Sequence, residues 1–210
     1  PSGRKPCIFT ATRPSGSRNT AATPDMIEAG GYDAVILALG ATPKRPSIPG
    51  AENTPWNVLN IYGNADKLGK NVVVVGGSET GVETGLYLAE AGHKVTVLSR
   101  QNSLASDAGR PHYLSMVRAR WQACENFYEV CGVKQYVSMD GSGLTYIDHE
   151  GKEDRVDAEL IVMATGAKPT PAECAKFYGI APQTQYIGDC FRVSNMHFAI
   201  QHGFAAANQI

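Results

Sequence analysis

The stretch that decides the fold is VVVVGGSETGVE, Val72 to Glu83. Four β-branched residues run into two glycines, which reads as a buried strand entering a tight turn. Gly76 lets the chain leave the strand sharply, and Gly77 with the small Ser78 lets backbone amides approach a pyrophosphate. Gly81 lets the following helix pack closely on the sheet. Glu79 and Thr80 open that helix, whose N-terminus supplies the partial positive charge an anion needs. Ser78 stands where a second fingerprint glycine is expected. Its hydroxyl either donates to a phosphate or is simply tolerated.

Glycine-rich turns also occur for packing alone, so the surroundings matter. Residues 80–91 carry apolar groups at 82, 86 and 89, Gly92 ends that helix, and KVTVLSR from Lys94 to Arg100 is a second strand. Strand, glycine turn, helix and strand complete a βαβ unit within thirty residues, the context a dinucleotide site requires. At the end of the second strand an acid would accept from the ribose hydroxyls of NAD, whereas an arginine would pair with the 2′-phosphate of NADP. This chain has Ser99-Arg100 there, which favours NADP(H) over NAD(H). The other reading makes Arg100 a solvated surface residue.

Outward from this unit, Thr23 is a plausible N-cap with Pro24 at the first helical position, Gly30-Gly31 a stop, and AVILALGA from Ala34 a buried strand ending at Gly40. Pro43, Pro46 and Pro49 then resist both helix and ladder, so the chain leaves that sheet. Residues 1–23 have no period, apart from the short apolar piece CIFTA that reads as a strand. Leu114, Val117, Trp121, Cys124 and Phe127 or Tyr128 recur at helical spacing and predict one long amphipathic helix. VKQYVSM, GLTYIDH, KEDRVDA and ELIVMATGA read as strands with turns at Gly141, Gly143 and Gly151. TQYIGDC is a last strand and NMHFAIQHGFAAANQI a last helix.

Composition narrows the function. A net charge of -1 over 210 residues suggests no nucleic acid partner. The longest apolar run is too short to span a bilayer, and no membrane partner is expected. Cysteines at 7, 124, 131, 174 and 190 show no C-x-x-C, which suits a reducing, cytoplasmic setting and leaves no dithiol for disulfide reductase chemistry. Cys124 and Cys131, on the long helix, fall on one face as core. His197 and His202, five apart, do not share the helical face a metal pair would use, so no metal site is expected. His93 reads as an exposed turn residue.

Three motifs carry a family resemblance: YDAVILALGATPKRPSIPG, VVVVGGSETGVETGLYLAEAGHKVTVLSR, and ELIVMATGAKPTPAE followed by YIGDC. From Thr23 onward the chain resembles the C-terminal half of an FAD- and NAD(P)-dependent oxidoreductase of the pyridine nucleotide-disulfide oxidoreductase kind. It is most similar to the C-terminal region of multidomain NADH:flavin oxidoreductases of the old yellow enzyme group, such as 2,4-dienoyl-CoA reductase, trimethylamine dehydrogenase and enoate reductases. The resemblance implies an α/β fold in which a Rossmann-like NAD(P)-binding domain, residues 67–166, with a parallel sheet and a β-meander, is inserted in an FAD-binding α/β domain formed by residues 1–66 and 167–210.

The resemblance also implies FAD as a second cofactor. It places Asp189 near the FAD ribityl or pyrophosphate, sets Gly40 and Gly166 at strand ends facing the cofactors, and puts Glu83 near the meeting of nicotinamide and flavin. No residue is assigned a catalytic role. The first FAD fingerprint of such proteins is expected to precede residue 1, and the catalytic barrel and cluster cysteines are expected elsewhere in a longer parent. The chain is then the NAD(P)H-binding segment of a flavin-dependent oxidoreductase, inactive alone, with strand edges that favour self-association. The alternative is a stand-alone nucleotide-binding or docking module without catalytic activity.

Overall fold

The computed structural model describes residues 20–109 and 111–210. The CIFTA piece and Cys7 lie outside them. Around the quoted stretch the chain forms β3 (Asn71–Val75), after α1 (Pro24–Gly30), β1 (Ala34–Leu37) and β2 (Ala41–Pro43). It continues through α2 (Glu79–Glu90), β4 (Lys94–Leu98), α3 (Pro111–Ala123) and β5 (Phe127–Val130). Then come β6 (Gln135–Asp140), β7 (Gly143–Ile147), β8 (Glu153–Asp157) and β9 (Leu160–Met163). The chain closes with β10 (Ala167–Pro169), α4 (Pro171–Ala175), β11 (Gln183–Tyr186) and α5 (Met196–Ala207).

Strands β5-β4-β3-β9 form a four-stranded sheet, parallel throughout. A strand in its middle is covered on both faces, which is why Val72 to Val75 are all apolar and all buried. The alternation of the strand sorts them into two cores. Val72 and Val74 pack with Val82 and Leu86 of α2 and Val117 and Trp121 of α3. Val73 and Val75 pack on the other face with Met139, Leu144 and Tyr146 of the antiparallel meander β6-β7-β8. The parallel sheet therefore lies between a helical layer and a second, smaller sheet.

Two further pairings use the outer parts of the chain. β1 pairs in parallel with β11, Leu37 opposite Tyr186. β2 and β10 form a short antiparallel ribbon, with Pro43 opposite Ala167 and Ala41 opposite Pro169. The expectation that Pro43 resists a ladder is corrected here. Each ribbon strand carries its proline at an end, where a missing N–H costs little.

A second correction concerns the long helix. It stops at Ala123, and Phe127 to Val130 are the fourth strand of the parallel sheet, paired with Val95 to Leu98. Phe127 is buried and stacks on Trp121 at 6.3 Å, so the apolar spacing that reads as one helical face belongs to two elements converging on one core. Cys124 and Cys131 consequently do not share a helix. Cys124 follows α3 and Cys131 follows β5. α1 has the expected ends: Thr23 Oγ1 accepts from Met26 N, and Gly31 closes the helix at φ 60°.

Candidate functional site: a basic cavity at the ends of three parallel strands

β4, β3 and β9 are neighbours in the sheet, and the residues following each of them meet at one cavity of about 780 Å³. Gly76, Gly77 and Ser78 come from the end of β3, Ser99, Arg100 and Gln101 from β4, and Ala164, Thr165 and Gly166 from β9. Lys44 and Arg45 after β2, Lys168 on β10 and Lys134 just before β6 make up the basic part of the wall, which Tyr136 of β6 also lines. The carboxyl ends of parallel strands are where an open α/β sheet takes its ligands.

The glycine positions are set by contact with the protein itself. Gly76 has φ 120°, and a Cβ on it would lie 2.3 Å from the carbonyl oxygen of Ala164. A Cβ on Gly81 would lie 1.9 Å from the carbonyl oxygen of Gly76, and one on Gly77 would lie 2.4 Å from Cβ of Ser99. Strand end, turn and helix are thus pressed together as closely as backbone allows. The consequence is a row of amides: among the described residues, the N–H groups of Gly77, Ser78, Thr80 and Gly81 donate to no protein acceptor. Ser78 is the N-cap of α2, yet its hydroxyl makes no capping bond. Unsatisfied N–H groups at a helix N-terminus form an anion cradle.

One donor of the row is already taken. Glu79 N donates to Asp107 Oδ1 at 3.0 Å. Asp107 belongs to a loop held over the turn by the bond from Ala105 N to Gly77 O, 2.7 Å. No spacing rule pointed to it.

The electrostatics of the cavity run one way. Among the described residues, five cationic side chains line it, Lys44, Arg45, Arg100, Lys134 and Lys168, and no carboxylate does. Elsewhere Arg120, Arg155 and Lys176 are ion-paired. Among the described residues, Arg100 and the three cavity lysines make no side-chain hydrogen bond or ion pair, and Arg45 bonds only the carbonyl of Glu52. Burial pushes the Tyr136 phenol up to about 12, against the pull of the Arg100 charge, while its hydroxyl donates to Leu98 O at 3.1 Å.

Of the residues picked from sequence, Gly76, Gly77, Ser78, Ser99, Arg100 and Gly166 line the cavity. Thr80 and Gly81 present their amides from the first turn of α2. Ser99 is 1% exposed, packs under Gly77, and its Oγ accepts from Gln101 N at 3.1 Å. The exposed residue at that tip is Arg100. Glu83 lies one turn further along α2, half-buried and outside the wall. Asp189 is also elsewhere, in a 3-10 turn after β11, accepting from Ser194 N at 3.2 Å. Gly40 and Gly166 immediately precede the two ribbon strands, and of these two only Gly166 reaches the cavity. His93 is not the free turn residue expected; Nδ1 is 2.9 Å from Gly69 O and ties the turn after α2 to the approach of β3.

Sequence reading missed Lys44, Arg45, Lys134 and Lys168. Lys44 and Arg45 follow β2, Lys134 precedes β6 and Lys168 lies on β10, and only β-pairing brings these separate stretches to one wall. The PKRP segment offered the single local signal, two adjacent cations directly before a proline.

The family model for pyridine nucleotide-disulphide oxidoreductases matches residues 25–203. The chain is 34% identical over 187 residues to an NADH oxidase of Thermoanaerobacter brockii, covering 85% of this chain and 28% of that protein. It is 24% identical over 196 residues to a cinnamate reductase of Clostridium sporogenes, covering 91% and 29%. Among solved structures, 2-naphthoyl-CoA reductase in complex with 2-naphthoyl-CoA superposes with a TM-score of 0.85 at 31% identity, over 91% of this chain and 29% of that one. The chain therefore spans less than a third of the length of these relatives.

Proposed function

The chain belongs to the pyridine nucleotide-disulphide oxidoreductase family, and we propose that it is the NAD(P)H-binding segment of a flavin-dependent oxidoreductase, with NADPH as the preferred nucleotide. Family membership carries the coarser part, an NAD(P)H-linked redox function that uses FAD. The observation that carries the finer part is the cavity: four free amides at a helix N-terminus beside five cations and no lining acid. That donor set fits a dinucleotide carrying a pyrophosphate and a further phosphate.

In this reading residues 67–166 form the nucleotide domain. The amides of Gly77, Ser78, Thr80 and Gly81 hold the pyrophosphate, and the free hydroxyl of Ser78 adds a donor. Arg100 takes the 2′-phosphate. Gly166 leaves room for backbone approach on the β9 side, and Lys44 and Lys168 neutralise charge from the ribbon. Glu83 sits one helical turn along α2, where it orients the nicotinamide end. The nicotinamide supplies a hydride and FAD accepts it in the whole protein; the chain's own residues bind, orient and neutralise.

Residues 1–66 and 167–210 are then segments of the FAD-binding domain, with Asp189 on the flavin side. One observation supports further domains packing there: Met196, Ile200 and Phe204 leave one stripe of α5 exposed at 77%, 65% and 66%. We place the remaining FAD-binding and catalytic domains of a longer protein against that face.

Calorimetric titration of the 210-residue chain with NADPH and NADH tests the reading. Saturable 1:1 binding, tighter for NADPH, is expected. Binding of neither nucleotide would overturn it.

A further inference from the structure

A 2′-phosphate carries nearly two negative charges, and a single exposed arginine neutralises one of them. The rest of the loop after β4, residues 101–109, holds no cation, and Ser106 lies within it. Its hydroxyl donates to Gln101 Oε1 and it does not line the cavity.

The structure brings a second cation from another strand. Beyond β5 the backbone runs alongside residues 99–101, with Val133 N donating to Ser99 O at 2.9 Å and Gly132 N donating to Gln101 O at 2.8 Å. Gly132, at φ 74°, permits the turn that makes both bonds. Lys134 follows directly, and its own N–H donates to Ile147 O at 2.9 Å, so three consecutive backbone bonds fix its Cα beside the end of β4. Its side chain is exposed, lines the same cavity as Arg100, and meets no acid among the described residues. The carboxylate of the neighbouring hairpin, Asp148, is occupied by the backbone N–H groups of Glu150 and Lys152. Lys134 Nζ lies 3.6 Å from where a Cβ on Gly151 would stand, at the rim of the cavity whose wall it shares with Arg100, and with no acid in the described lining both charges are available to an anion.

We propose that Lys134 is a specificity-determining residue, the second cation of a subsite in which Arg100 and Lys134 together hold the 2′-phosphate of NADPH. This rests on the reading of the cavity as a dinucleotide site. Lys44 and Lys168 lie on the opposite side of the glycine turn, beyond β9, and serve the phosphates common to both nucleotides.

Affinities of the full chain for NADPH, NADH and adenosine 2′,5′-bisphosphate are compared for the parent and for Lys134→Gln, Lys134→Arg, Arg100→Gln and Lys44→Gln. Lys134→Gln is expected to weaken NADPH and the bisphosphate by about tenfold and NADH by less than about twofold, the size of one lost charge-assisted contact. Lys134→Arg is expected to restore the parent values, and Lys44→Gln to weaken NADPH and NADH alike. Equal weakening of NADH and NADPH by Lys134→Gln would overturn the proposal. So would an unchanged NADPH affinity in that variant while Arg100→Gln still lowers it, and in that case the dinucleotide reading stands. A parent that binds none of the three probes would remove the dinucleotide reading itself, and the proposal with it.

Discussion

β3 and β1 are both short parallel strands that lead toward a glycine of positive φ, and the difference between them is what supports the proposed placing of the nucleotide at β3. β3 has parallel neighbours on both sides, four of its five residues buried, and a helix that starts three residues beyond its end. Among the described residues β1 has one neighbour, one buried residue, and a ribbon in place of a helix beyond Gly40. A phosphate cradle needs both a strand held from two sides and a helix N-terminus aimed over its end. β3 has both and β1 has neither.

Gly81→Leu tests the β3 side with the largest expected effect. Its Cβ would fall 1.9 Å from Gly76 O, pushing α2 off the strand and its amides away from the ligand. Binding of either nucleotide is expected to fall by about a hundredfold or more, roughly 2.8 kcal/mol. A folded variant, judged by circular dichroism, that binds normally would show that the cradle lies elsewhere. Arg100→Ala is expected to lose about tenfold in NADPH affinity, ~1.4 kcal/mol, and little for NADH. Unequal titration curves becoming equal in calorimetry would bear this out, and an unchanged ratio would contradict it.

A smaller effect follows from Tyr136, half-buried in the cavity wall. Its folded phenol titrates at about 12, above its ordinary value of 10.0. Folding therefore gains from the neutral form fully below pH 10, and this gain is lost as pH rises through about 12. Tyr136→Phe should flatten the loss of thermal stability across that alkaline window. It should also lower stability at neutral pH by about 1 kcal/mol, because Leu98 O loses its donor. An alkaline melting profile identical to the parent's would exclude Tyr136 as the source.

The smallest effect is expected on the β1 side. Cys190, whose thiol donates to Leu37 O and Ile187 O, ties β1 to the turn after β11. Cys190→Ser should leave nucleotide affinity within about twofold while lowering the melting temperature by a few degrees, as for loss of about 1 kcal/mol. A large change in affinity would mean that the two regions are coupled.

The same contrast governs what the sequence made legible. Val72 to Arg100 was readable because strand, turn, helix and strand are contiguous and each leaves its own period or glycine. The arrest of α3 at Ala123 was not, since Trp121 and Phe127 face one core from a helix and a strand, and spacing alone cannot separate the two. The ribbon was hidden by its prolines, which argue against a ladder yet fit at its ends. The cations of the cavity were hidden for a different reason. Lys44 and Lys168 become neighbours through a ribbon that bridges more than a hundred residues, with Thr42 opposite Lys168, and Lys134 reaches the same wall through bonds from residues 132 and 133 back to 101 and 99. Asp107 reached the helix N-terminus through a loop whose course no local pattern fixes.

The claim that the nucleotide site is complete at β3 while the region of β1 holds no flavin is tested most directly by one spectrum. The 210-residue chain is incubated with FAD, passed through gel filtration, scanned in the visible range, and then titrated with NADPH on the same sample. The expected result is a colourless protein that still binds NADPH in a 1:1 ratio. A protein that retains stoichiometric flavin and bleaches on adding NADPH would contradict the account.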